Sequence, residues 1–207
     1  MKKLLIATSN QGKIAEYREI FKELLPDLEL VSLNALNIKE APDETGETFE
    51  ENAVIKAKFY YDLAKIPTLA DDGGIEIDYL NGEPGVRSRR WPGHEATDEE
   101  LVAMTFEKLG GVPWEKRGAQ LRVVIALAPS KDNIHTTEGI WRGFIVEERS
   151  KVARFMPGYP FRSLFWIPET GTVLGELPFE EEVRIGHRRK AIEKALPILE
   201  SMLCGEQ

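Results

Sequence analysis

Cysteine, histidine and long apolar runs are all scarce in this chain of 207 residues. Its one cysteine, Cys204, lies near the C-terminus, which excludes a disulfide framework and a thiolate metal centre and reads as a solvent-tolerant tail position. Of its three histidines, His94 and His135 have no ligand-like neighbours at useful spacing. Basic charge is short as well: 27 Lys+Arg stand against 35 Asp+Glu, a net charge of −8. An acidic chain is a poor candidate for wrapping a nucleic-acid backbone, so no nucleic-acid partner is expected, although a local basic pocket stays open. No run approaches the ~20 apolar residues of a membrane span. Leu4 to Ala7 follow Met1-Lys2-Lys3 as in a signal peptide, yet the apolar run is too short and ends in polar Thr8-Ser9-Asn10. A cytoplasmic protein with no membrane partner is the expectation. No repeat or low-complexity segment is present. With 42% hydrophobic residues the chain can bury a sizeable core, as a single domain over 1–207 or as two small lobes sharing a sheet.

What is present alternates strand and helix signals. Leu4 to Ala7 reads as a buried strand, followed by a helix with Ile14, Tyr17, Phe21, Leu24 and Leu25 on one face, stopped by Pro26. A second strand is expected over Leu28 to Leu33. Thr48-Phe49-Glu50-Glu51 has capping-box spacing and opens a helix with Phe49, Ala53, Ala57, Tyr60 and Ala64 on one face. Ile66 to Ala70 reads as a short buried strand, a glycine turn follows, and Ile75, Ile77 and Tyr79 alternate as a second strand. Thr97-Asp98-Glu99-Glu100 opens another helix, ending near Gly110-Gly111. Ala119 to Leu127 alternates as a half-buried strand, and an extended pair over Ile134 to Glu148 is expected to turn near Gly139. A last helix runs from His187 towards Leu203, kinked or broken at Pro197. Early alternation with hairpins in the middle predicts an α/β fold with a mixed central β-sheet flanked by helices.

The strongest chemical signal is Ala70-Asp71-Asp72-Gly73-Gly74. Adjacent carboxylates repel, so a fold seldom places them together without a cation or a proton to share. A strand end with glycines is also where a backbone approaches a phosphate closely. Together these point to a magnesium site that handles a phosphorylated substrate. Lys13 opens a helix after a polar glycine-containing turn, where free N–H groups and the dipole favour an anion, yet a lysine there is commonly just a solvated charge. Asn52 and Lys56 lie one helical turn apart, and Lys56 borders the apolar stripe, open to either anion binding or snorkelling. Glu40, Asp43 and Glu44 precede Thr45-Gly46, and any of them can supply a metal oxygen. Arg184 and His187-Arg188-Arg189-Lys190 crowd a helix N-terminus, where cations oppose the dipole unless an anion or carboxylates answer them.

In this order the pieces resemble the inosine triphosphatase family, house-cleaning pyrophosphatases that hydrolyse non-canonical purine nucleoside triphosphates. Thr8-Ser9-Asn10-Gln11-Gly12-Lys13 is similar to its opening phosphate-binding motif. Glu44-Thr45-Gly46 with Thr48 to Ala53 and Lys56-Ala57 is similar to its second, and Ala70 to Gly74 with Gly82, Pro84-Gly85 and Ser88-Arg89-Arg90 to its third. His187-Arg188 matches the family's C-terminal pair. The resemblance implies two lobes with a nucleotide cleft between them, a homodimer, and Mg²⁺-dependent cleavage between the α and β phosphorus atoms. It implies Glu44 and one or both of Asp71 and Asp72 as metal ligands and Asp72 as the base that activates water. It also implies phosphate neutralisation by Lys13 and Lys56, and substrate contacts from Thr8 to Gly12, Asn52, Gly73, His187 and Arg188.

The base-recognition segment departs from the family pattern. Gly-Phe-Gly-Tyr-Asp-Pro is replaced by Pro157-Gly158-Tyr159-Pro160-Phe161-Arg162-Ser163, so an aspartate has become Arg162, and the lysine five residues before the family's histidine has become Glu182. Serines of the family are Gly73 and Gly186 here. The opposite reversals at Arg162 and Glu182 imply that the two touch, keeping an ion pair with its polarity exchanged. Tyr159 and Phe161 remain as surfaces on which a base can stack, with Arg162 offering donors. Rival readings are a house-cleaning enzyme for a pyrimidine or modified nucleotide, and a nucleotide sensor without turnover.

Overall fold

The computed structural model describes residues 2–204 except 152, 154, 155 and 157, and of residues 203 and 204 only the helical backbone. The expected tail position of the Cys204 side chain, and Pro157, therefore lie outside the described residues. Strands β1 (Lys2–Ile6), β2 (Leu28–Ser32), β3 (Thr68–Ile77), β4 (Gly118–Ala128), β5 (His135–Ile145), β6 (Phe165–Ile167) and β7 (Thr172–Val173) form one sheet in the order β2-β1-β3-β4-β5-β6-β7. Helices α1 (Gln11–Leu24), α2 (Phe49–Ala64), α3 (Asp98–Lys108), α4 (Phe179–Ile185) and α5 (His187–Cys204) flank it. β1 pairs parallel with β2 and β3, while β6 pairs antiparallel with β5 and β7, so the sheet is mixed as predicted.

The chain forms two compact units, with the division falling inside β3, β4 and β5. The first comprises residues 1–72, 123–139 and 183–207. Leu4, Leu5 and Ile6 bury the second half of β1 in its core, which also holds Ile14, Tyr17, Ile20 and Phe21 of α1. Each such side chain contributes about 1.5–3 kcal/mol of burial. Asn10 caps α1, its Oδ1 accepting from the N–H of Gly12 at 2.9 Å and of Lys13 at 3.2 Å. That cap converts the end of β1 into a helix start within a few residues. Thr48 caps α2 by accepting from Glu51 N–H at 3.1 Å, but the return bond from Glu51 reaches Glu47 N–H instead of Thr48, so the box is offset by one residue.

The second unit comprises residues 73–122 and 140–182. Its α3 carries a complete capping box between Thr97 and Glu100. Arg117 is buried there with its guanidinium donating to the carbonyls of Leu109, Val112, Ile145 and Val146. Trp114, Phe144 and Trp166 pack as a ring cluster with centroids 5.1–6.2 Å apart.

Several local expectations are corrected. Gly73-Gly74 is not a turn: β3 runs unbroken from Thr68 to Ile77, because glycine tolerates extended backbone and both ends of the segment have partners. Gly139 is not a turn either, since β5 passes straight through it. A Cβ at Gly139 would collide with the His187 carbonyl, so the glycine admits the start of α5 against the strand. β4 does not alternate as expected: Gln120, Leu121 and Arg122 are all half-buried, and every residue from Val123 to Ala128 is buried, as in a strand covered on both faces. α5 continues through Pro197 without a break. The short β6 and β7 and the acidic α4 carry no sequence periodicity long enough to announce them.

Candidate active site

Successive side chains of a strand point to opposite faces, and this separates Asp71 from Asp72. Asp71 is buried and receives Lys13 Nζ of α1 at 3.1 Å on one oxygen and 3.0 Å on the other. Arg188 of α5 donates to it through Nε at 3.4 Å and forks onto Glu16 of α1, both contacts at 3.0 Å. Burial pushes the Asp71 carboxyl upward, but the charges of Lys13, Arg188 and Lys56 outweigh it and hold the group well below the carboxylate range. Burial lowers Lys13 in turn, against the attraction of Asp71. Tyr17 faces the same carboxylate, and its hydroxyl is raised by burial and then by Asp71.

Asp72 takes the other face. Its Oδ1 accepts from Lys56 Nζ of α2 at 2.9 Å and its Oδ2 from Asn52 Nδ2 at 3.3 Å. Lys56 also reaches Glu44 Oε2 at 3.2 Å. Burial raises Asp72, opposed by Lys56 and Lys13. Burial likewise opposes the charge on Lys56, yet Asp72, Asp71 and Glu44 together keep its ammonium favoured. Of the acidic loop, only Glu44 meets this cluster: Glu40 accepts from Lys39 N–H at 3.0 Å and Asp43 is exposed.

The remaining expected residues fall as follows. Thr8 accepts from Asn10 N–H, Asn10 is spent on its cap, and Ser9 and Gln11 are exposed. Asn52 is 3% exposed, with both ends of its amide committed inside the protein. His187 is held well below the usual histidine range by burial and then by Arg188, and its buried Nδ1 has no hydrogen-bond partner among the described residues. The crowd of cations at the start of α5 is answered by carboxylates, Arg188 by Glu16 and Asp71, and Arg189 by Glu23 and Glu193. In the second unit Arg162 and Glu182 do touch, both buried, so that guanidinium is committed to a carboxylate instead of standing free. Phe161 is buried and Tyr159 half-buried, which leaves Tyr159 the more accessible ring; Gly73 is half-buried within β3.

Glu16 was missed, although an acid inside the stripe of Ile14, Tyr17 and Ile20 was a readable sign of a buried partner. Glu44, Asp71 and Asp72 do not gather into one set, and no three acidic, histidine or cysteine side chains among the described residues group as metal ligands. The donor chemistry still fits a divalent cation in part. Carboxylates of Glu44 and Asp72 converge on one ammonium, Lys56, an arrangement of hard oxygen donors around a positive centre.

Residues 4–198 match the model of the Ham1 family. The chain belongs to that family. A Geobacillus kaustophilus protein named dITP/XTP pyrophosphatase is 38% identical over 196 residues, covering 94% of this chain and 92% of its own length. One of the same name from Lactobacillus acidophilus is 35% identical over 202 residues, 97% and 98% of the two chains. Among solved structures, a HAM1 protein from Coxiella burnetii superposes with a TM-score of 0.82 at 32% identity, covering 96% of this chain and 98% of its own. The Staphylococcus aureus Ham1 protein gives 0.81 at 31% identity with the same coverage.

Proposed function

We propose that this Ham1-family chain hydrolyses non-canonical purine nucleoside triphosphates, dITP and XTP among them, to monophosphate and pyrophosphate. The observation that carries it is the convergence of Glu44, Lys56 and Asp72 on one face of β3, with Lys13 held by Asp71 on the other. Two ammonium groups set by carboxylates can neutralise a polyphosphate as charge builds in the transition state. Glu44 and Asp72 are the residues to hold Mg²⁺, which when bound would withdraw charge from phosphate oxygens and lower the pKa of a water. Asp72 is also the base: its pKa is raised by burial, which suits a carboxylate that must take a proton from water. Asp71 acts by orienting Lys13. Thr8 to Gly12, His187 and Arg188 complete the substrate's surroundings. Tyr159, Phe161 and Arg162 belong to the base-recognition segment, where Glu182 holds Arg162 and keeps the family's ion pair with its polarity exchanged.

A homodimer in the cytoplasm is the setting that fits this role; no helix among the described residues is long and apolar enough to cross a membrane. The test is pyrophosphate release across dITP, XTP, ITP, ATP, dGTP and CTP, with and without Mg²⁺. Release confined to the non-canonical purines and dependent on Mg²⁺ is expected. No pyrophosphate from any nucleotide would leave a binding protein without turnover and end the reading.

A further inference from the structure

Asn52 sits at the joint between three pieces of chain. Its Oδ1 accepts from Gly46 N–H at 2.8 Å, and its Nδ2 donates to Asp72 Oδ2 at 3.3 Å. The orientation of the amide is chemically forced: a backbone N–H can only donate and a carboxylate can only accept, so the oxygen must face Gly46 and the nitrogen Asp72. With the side chain 3% exposed, neither atom has water to fall back on. Gly46 is required for the approach, because a Cβ there would lie 2.7 Å from Asn52 Oδ1 and 2.7 Å from Glu51 Cβ. Glu44 lies just upstream of Gly46, and its oxygen meets Asp72 only through the ammonium of Lys56.

We infer that Asn52 is the positioning residue that fixes the spacing between the Glu44 and Asp72 carboxylates, and so sets the protein's affinity for a divalent cation. Lys56 ties the same two groups, but its ammonium is a charge that a phosphate would claim. The Gly46–Asn52–Asp72 chain involves no group with a net charge on the loop or helix, so an anion does not compete for it. This assignment replaces the direct substrate contact expected of Asn52 from sequence, since its buried amide is bonded at both ends to protein groups. It rests on the reading of Glu44 and Asp72 as the cation-holding pair.

The test is Mn²⁺ binding to the nucleotide-free protein, followed by electron paramagnetic resonance, for wild type, Asn52→Leu, Asn52→Ala, Gly46→Ala and the double variant Gly46→Ala/Asn52→Ala. Loss of a residue that orients a ligand weakens metal binding about 10–100-fold, and that is the shift expected of each single variant. Gly46→Ala breaks the chain from its other end, so the double variant should be no worse than the poorer single one. Turnover of dITP should return towards wild type at saturating Mn²⁺ with KM for the nucleotide little changed, which a general folding defect would not produce. If the Asn52 variants fold poorly, Gly46→Ala alone carries the test. Unchanged Mn²⁺ affinity with a raised nucleotide KM would make Asn52 a substrate contact and overturn the inference, as would strictly additive losses or a wild type that binds no Mn²⁺. Normal Mn²⁺ effects in a protein that cleaves no nucleotide would instead overturn the proposed activity and leave the positioning role standing.

Discussion

Asp71 and Asp72 are neighbours in sequence, and nothing about them differs but the face of β3 on which each falls. Asp71 is saturated: two oxygens, an ammonium, a guanidinium, almost no solvent. Asp72 has one ammonium and one amide and remains part-exposed. The first is a carboxylate locked in its ionised form, the second one whose burial makes it more basic. A single alternation of the strand thus divides one acidic doublet into a group that holds other charges in place and a group with chemistry left to do.

The sharpest way to break that contrast is Asp72→Asn. The amide keeps the shape and a contact to Lys56 but cannot take a proton, so pyrophosphate release should fall by roughly 10²–10⁴-fold. Folding should be unharmed or slightly improved, because the ionised form of Asp72 is disfavoured by its burial. A variant that keeps more than a tenth of wild-type rate would show that Asp72 is not the base.

Asp71→Ala should behave in the opposite way. It strands Lys13, Arg188 and the Glu16 fork in a buried site, and removing one partner from such a network costs about 3–5 kcal/mol. For a chain of this size that corresponds to a fall in Tm on the order of 10 °C, measured by calorimetry. If Asp71→Ala melts like wild type but loses Mn²⁺ affinity, the two aspartates are a shared metal pair and the contrast dissolves.

Much of this was legible in the sequence, and the reasons for what was not are physical. Strand, cap and helix signals around Lys13, Thr48 and Thr97 were local, so they survived, with only the return bond of the Thr48 box displaced by one residue. The doublet itself was visible, but its glycines were read as a turn, because glycine marks both turns and permissive strands and only β3's pairing decides between them. Gly139 misled for the same reason: its purpose is set by α5, a helix far along the chain. Partnerships such as Glu16 with Arg188 join distant residues, and only a buried acid in an apolar stripe hinted at one of them. Arg162 with Glu182 was the exception, since two opposite reversals carried the contact in their signs.

That pair sharpens the comparison in the second unit, where both members are buried as Asp71 is. Arg162→Asp and Glu182→Lys should each lose stability as a buried charge meets its like. Combining them should restore the pair and recover about 0.5–3 kcal/mol over the sum of the single losses, read from denaturant unfolding. Additive losses would mean the two charges act independently.

The smallest effect is expected where the same chemistry sits in water. Arg142 forks onto Asp78 at 3.0 and 2.5 Å, with side-chain exposures of 55% and 51%. Two guanidinium nitrogens meet the two oxygens here, whereas Arg188 reaches both oxygens of Glu16 through one nitrogen. Exposure separates the pairs further, at 55% and 51% against 7% and 7%. The hydrogen bonds from Arg142 hold Asp78 below its ordinary pKa, burial pulling the other way. A depressed carboxyl gives stability that is fully present above the unfolded value near ~3.9 and drains away as pH falls through the folded one. Screening by solvent limits the whole contribution to at most about 1 kcal/mol. Asp78→Asn should therefore leave Tm at pH 7 nearly unchanged and flatten only the acid limb of the stability curve below about pH 4. A loss at pH 7 comparable to that of Asp71→Ala would show that burial is not what distinguishes a locked carboxylate from a free one.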